Sequence, residues 1–281
     1  GIHLDCQHKI LHRDAHQISY RIYHCPERPK RAALFLHGAG VAGQFTWEHI
    51  VRQQRSWQTV VVPDLRGAGQ TYGVGHVERP FSMADLLADM AALSQNLSLP
   101  EFDLAGYSFG GLLAMQLALK EPEQVGQLML LEPVTLEQAD WALSVKQIHH
   151  YRHLADGLKS GKNIRSFVEA FIGEVAPRQL NNPKALDAMV IRLAHRPIGF
   201  AHTLEALAEF VGSLDREAML RQLPKGLLLS GANSPGALHK AHEYVGREFS
   251  WTVTQLVGTD HSLPYQKPRK IAEYLDAFCQ G

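Results

Sequence analysis

Residues 102–107 read FDLAGY, residues 108–111 read SFGG, and residues 112–120 read LLAMQLALK. The first run is apolar and strand-like, and the last is rich in Ala and Leu, which favour helix. Between them lies Gly106-Tyr107-Ser108-Phe109-Gly110, a G-x-S-x-G pattern followed by Gly111. Alone, that pattern is an ordinary Gly/Ser turn. Set between a buried strand and a helix it is specific, because a tight strand-to-helix reversal drives the Ser108 Oγ outward and leaves no room for a Cβ at the flanking positions. Ser108 is therefore the candidate nucleophile.

Further apolar runs flank this segment: 31–37 (RAALFLH), 58–63 (QTVVVP), 127–132 (QLMLLE), 226–230 (GLLLS) and 251–257. Several are continuously apolar, as in strands buried on both faces, and helical stretches alternate with them. Residues 12–24 read as an antiparallel pair turning near Arg13-Asp14. The expected architecture is α/β: a mostly parallel sheet covered by helices on both faces. From Glu132 to Gly226 the strand signal vanishes for about ninety residues, replaced by amphipathic pieces at 136–159, 164–175, 184–195 and 199–214. With breaks at Pro133 and Pro224, the expected organisation is a core domain of 1–133 and 225–281 carrying a helical cap insertion at 134–224.

A serine nucleophile needs two N–H donors aimed at the developing oxyanion. Position points to the amide of Phe109 and the amide of Ala39, in the His37-Gly38-Ala39-Gly40 loop after the 31–37 strand. His37 itself reads as a brace for that loop. A general base is expected late in the chain at a strand end, which singles out His261 in Gly258-Thr259-Asp260-His261-Ser262 from the 16 histidines. His149, His150 and His153 share one helix face but lack a carboxylate or Cys partner at ligand spacing, so they read as a solvated face and no metal site is expected.

Composition narrows the partners. Lys+Arg and Asp+Glu are 28 each in 281 residues, so there is no basic field for nucleic acid or anionic lipid. Three cysteines (Cys6, Cys25, Cys279) with no CxxC argue for reduced thiols. Residues 1–14 (GIHLDCQHKILHRD) lack the apolar core of a signal peptide, and no run reaches the length of a membrane span. A cytoplasmic setting is the expectation; the sequence does not address oligomeric state.

Taken together, the HGAG loop, the Gly106–Gly110 elbow, the segment Pro63-Asp64-Leu65-Arg66-Gly67-Ala68-Gly69 and the late His261 resemble the α/β-hydrolase superfamily over essentially the whole chain. The resemblance implies an α/β-hydrolase sheet whose insertion is a cap domain, with Asp64 and Arg66 bracing loops. It also implies a third, acidic member beside Ser108 and His261. The commonest pattern puts an Asp after the 226–230 strand, yet the loop here is Gly231-Ala232-Asn233-Ser234-Pro235, without a carboxylate. The expected acid is Glu132, which lies 24 residues after the candidate nucleophile and resembles the acid of the haloalkane-dehalogenase-like branch; the alternative is a neutral hydrogen bond from Asn233 or Ser234. Asp260 is poorly placed as the immediate neighbour of His261.

The expected function is that of a serine hydrolase cleaving a carboxyl ester, or thioester, of a small hydrophobic substrate through an acyl-enzyme, with no metal or organic cofactor. A serine in place of an aspartate argues against dehalogenation and epoxide opening. Carbon–carbon hydrolysis and acyl transfer use the same residues, and the missing loop Asp also suits a non-catalytic small-molecule receptor. Leu154, Phe167, Phe171, Met189, Phe200, Leu204 and Phe210 are the candidate acyl-pocket residues of the insertion, though their helical spacing also suits packing.

Overall fold

The computed structural model describes residues 4–280; residues 1–3 and 281, counted above in the expected core domain, lie outside it. Nine strands form one sheet: β1 (Asp5–Arg13), β2 (His16–His24), β3 (Ala32–Leu36), β4 (Thr59–Pro63), β5 (Tyr72–Gly73), β6 (Phe102–Tyr107), β7 (Val125–Leu131), β8 (Leu227–Gly231) and β9 (Thr252–Leu256). Their order is β1-β2-β4-β3-β6-β7-β8-β9, with β5 paired to β2. From β4 through β9 every pairing is parallel, and β1, β2 and β5 are antiparallel. The chain is thus the expected mostly parallel α/β sheet.

The first hairpin differs in extent from its sequence reading. It reaches back to Asp5 and turns at Asp14-Ala15, both at positive φ as a two-residue reversal requires. Exposed β1 carries little apolar alternation, so its start left no signal.

Helices α1 (Gly43–Gln53), α2 (Met83–Asn96) and α3 (Phe109–Lys120) precede the insertion. The stretch between β7 and β8 holds α4 (Trp141–Lys159), α5 (Ile164–Val175), a 3-10 turn (Pro177–Asn181), α6 (Pro183–Leu193), α7 (Pro197–Val211) and α8 (Arg216–Gln222). Then come α9 (Gly236–Phe249), α10 (Leu263–Gln266) and α11 (Pro268–Gln280). The helix expected from residue 136 begins only at Trp141, where Asp140 caps the Ala142 and Leu143 amides. Short α8 escaped the periodicity reading, and the C-terminal helical segment is divided before Pro268 into α10 and α11.

Two apolar layers sandwich the sheet. Trp47, Ile50, Val51, Ile271 and Leu275 from α1 and α11 cover one face. On the other, Leu86, Met90, Leu113, Met115 and Leu117 form a core continuous with Leu154, Phe200 and Leu204 of the inserted helices. Arg196 fastens the start of α7 to the segment after β4: its guanidinium pairs with Glu78, donates to the carbonyls of Gly69 and Thr71, and stacks on Tyr72.

Candidate active site

In a parallel sheet all C-terminal strand ends share one edge, so residues that follow different strands converge there. Ser108 follows β6, Glu132 follows β7, His261 lies in the loop after β9, and Ala39 follows β3. At the reversal Ser108 takes φ 54° and ψ −117°. A Cβ on Gly106 would press into the backbone of Gly110 and Gly111, and one on Gly110 would press into the carbonyls of Leu36 and His37. That crowding is why the elbow needs glycine at both positions.

The structure brings Ser108, His261 and Glu132 into one chain of contacts. The Ser108 Oγ lies 3.1 Å from His261 Nε2, and His261 Nδ1 lies 2.9 Å from Glu132 Oε1. The second carboxylate oxygen, Oε2, accepts from the Gly231 amide at 2.7 Å and from the Ser234 hydroxyl at 2.6 Å. Burial pushes the Glu132 carboxyl upward, but the His261, Ser234 and Gly231 hydrogen bonds outweigh it and hold the group below the usual carboxylate range. Glu132 is thus an anion at neutral pH. Ser234 bonds to this carboxylate, and the Asn233 amide donates to the Thr259 carbonyl. Neither residue takes the imidazole contact weighed for it from the sequence. Asp260 accepts from the Ser262 amide and from Gln179, bracing the His261 loop.

Among the described residues, the amides of Ala39 and Phe109 donate to no protein acceptor, and Phe109 stands at the first position of α3. Helix N-terminal N–H groups are left over by helix geometry and favour negative charge. His37 holds the adjoining loop: its Nδ1 bonds the Gly38 carbonyl at 2.6 Å and its Nε2 accepts from the Leu65 amide at 2.9 Å. Asp64 accepts from the Gly43 and Gln70 amides, and Arg66 pairs with buried Asp89. The Tyr107 hydroxyl donates to the His261 carbonyl at 2.7 Å. The sequence carried no signal for that support, since the two residues are joined only by the fold.

Two cavities open on Ser108 and His261. One, of about 240 Å³, is walled by Val41, Phe171, Val175, Met189, Leu193 and Tyr265, beside Ala39. Of the seven insertion residues considered for an acyl pocket, only Phe171 and Met189 line it. Leu154, Phe200 and Leu204 are buried in the core, and Phe167 and Phe210 pack against it. The other cavity, of about 150 Å³, is more polar and includes Glu137, Gln147, Tyr151 and Glu174, none of which the sequence pattern marked.

His149, His150 and His153 are exposed, and no group of ligating side chains suited to a metal occurs among the described residues. Nor is any described helix long and apolar enough to cross a membrane.

Behind Glu132, His242 on α9 is 1% exposed and both its ring nitrogens lack a partner among the described residues. Burial pushes it down to about 4. An unfolded histidine titrates near ~6.5, so between those values the unfolded chain holds the extra proton, and stability falls as pH falls through that window. Between pH ~7 and ~5 this one group removes about 2 kcal/mol. His242→Leu is expected to flatten the pH dependence of thermal unfolding; an unchanged difference in Tm between these pH values would remove His242 as a source.

A mostly parallel sheet with a serine-bearing strand-to-helix elbow after a central strand defines an α/β-hydrolase scaffold. Residues 33–274 match the alpha/beta hydrolase family, and the chain belongs to that family. It is 24% identical to the lipase LipV of Mycobacterium tuberculosis, over 88% of this chain and 92% of that protein. It is 28% identical to a pimeloyl-[acyl-carrier protein] methyl ester esterase of Aeromonas hydrophila, over 65% of this chain and 68% of that one. Several other curated relatives are matched over only 26% to 41% of their own length. In fold, a thermophilic esterase from Thermogutta terrifontis superposes with a TM-score of 0.77 at 20% identity, covering 98% of both chains.

Proposed function

We propose that this hydrolase-family chain is a serine hydrolase that cleaves a carboxyl ester, or thioester, of a substrate with a small hydrophobic acyl group. The observation that carries the reading is the continuous Ser108–His261–Glu132 contact. His261 Nε2 takes the Ser108 proton while Oγ bonds to the acyl carbon, and Glu132 supports the resulting imidazolium. The Ala39 and Phe109 amides receive the oxyanion. The acyl carbon then loses its bond to the leaving oxygen, which takes the proton from His261. Water, deprotonated by the same imidazole, releases the acid and restores Ser108. The names of the lipase and methyl ester esterase relatives agree with ester chemistry. Residues 134–224 serve as the cap that supplies Phe171, Val175 and Met189 to the acyl cavity.

The test is a panel of p-nitrophenyl esters beside acyl thioesters of matched chain length. The apolar cavity measures only about 240 Å³, so kcat/KM is expected to peak at medium chains and fall for longer ones. Absence of turnover across the whole panel would overturn the reading.

A further inference from the structure

The 150 Å³ cavity meets the 240 Å³ cavity at Ser108 and His261, and the two differ in chemistry. The larger is mostly apolar and adjoins Ala39, on the side where an acyl carbonyl oxygen would point. The smaller also opens on Ser108 and His261, so an alcohol oxygen leaving the acyl carbon can enter it as it takes the proton from His261 Nε2. Its polar lining consists mainly of acceptors and amides: the Glu137 and Glu174 carboxyls, the Tyr151 hydroxyl and the Gln147 amide.

Two independent observations mark this cavity as built for a ligand. Tyr151 is 6% exposed, lines the cavity, and its hydroxyl has no hydrogen-bond partner among the described residues. Glu137, half-buried, has no ion-pair partner among the described residues, and burial pushes its carboxyl up to about 7 against the backbone hydrogen bonds from its own amide and that of Thr135. The neighbouring cation is spent elsewhere. Arg216 donates to the carbonyls of Thr135, Gln138 and Ala139 at 2.7–3.0 Å and lies over the Trp141 ring, clamping the backbone that carries Glu137. A rigid loop thus presents a carboxyl, next to an unpartnered phenol, to a cavity that contains the nucleophile. A ligand with hydrogen-bond donors would satisfy both groups, whereas an apolar one would desolvate them without return.

We propose that this cavity is the leaving-group subsite and that it selects esters whose alcohol portion carries a hydrogen-bond donor, hydroxyl or ammonium, with Glu137 and Tyr151 as its recognition pair. The proposal rests on the serine hydrolase reading and narrows it: an apolar acyl group on one side of Ser108 and a polar alcohol on the other.

The test compares kcat/KM within pairs of butyrate esters that share the acyl group: 2-hydroxyethyl against propyl, and 2-(dimethylamino)ethyl against 3-methylbutyl, with p-nitrophenyl butyrate as the reference ester. Wild type is expected to prefer the donor-bearing member of each pair by about tenfold, the size of a well-made hydrogen bond. Glu137→Gln should reduce the ammonium preference to about threefold or less, and Tyr151→Phe should weaken the hydroxyl preference, with thermal melts establishing that both variants fold. Ratios near one in wild type, or ratios unchanged in folded variants while p-nitrophenyl butyrate is still turned over, would overturn the subsite alone. No hydrolysis of any ester by wild type would overturn the subsite and the hydrolase reading together.

Discussion

Glu132→Gln is expected to lower kcat by about 10⁴, because the amide forces the imidazole into the wrong tautomer. The structure specifies why. The Oε2 position accepts from two donors, the Gly231 amide and the Ser234 hydroxyl, whereas the Oε1 position faces only His261 Nδ1. A glutamine therefore turns its one oxygen toward Gly231 and Ser234 and its NH₂ toward Nδ1. Nδ1 must then act as acceptor, the ring proton moves to Nε2, and His261 can no longer take the Ser108 proton. The side chain keeps its size and two of its hydrogen bonds, so the fold should persist by circular dichroism. Steady-state kinetics on a p-nitrophenyl ester measure the effect, and a folded variant with near-normal kcat would move the acid role away from Glu132. Ser234→Ala, which removes one of the two donors, should show a much smaller loss.

Ser108→Ala is expected to cost more, on the order of 10⁶ in kcat, because it removes the atom proposed to form the acyl-enzyme. The same substitution should abolish labelling by a fluorophosphonate probe, which traps the activated serine covalently. Ser108 is 8% exposed and opens onto both cavities, so a small probe can reach it. Labelling of Ser108→Ala, or failure to label the native chain, would contradict the assignment whatever the substrate proves to be. Both variants retain the cavities, so substrate binding measured separately should survive the loss of turnover.

Legibility in the sequence followed the range of the interactions. The Phe102–Tyr107 strand and the helix after Ser108 were readable because apolar runs, helix formers and paired glycines act over a few neighbouring residues. The exposed first strand was poorly readable, since an edge strand needs no apolar alternation. Helix α8 was missed because seven residues hold too few turns for a period to show. For the candidate site, Ser108 and His261 stood out through their place in the order of strands, while the third position stayed open between Glu132 and the Asn233-Ser234 loop.

Only the tertiary structure decided that third contact. Glu132 and His261 are 129 positions apart and meet because β7, β8 and β9 are parallel and end at one edge. Ser234, the alternative partner for the imidazole in the sequence, instead hydrogen-bonds the carboxylate. The cavities were invisible for the same reason. Val41, Phe171, Met189 and Tyr265 share a wall, and Glu137 shares another with Tyr151 and Glu174, only after the inserted helices pack over the sheet. The sequence by itself determined the α/β-hydrolase architecture and the position of the candidate nucleophile, because both rest on local patterns of neighbouring residues. Packing alone decided which carboxylate meets the imidazole and what surrounds the serine, because both depend on contacts between segments that no local pattern encodes.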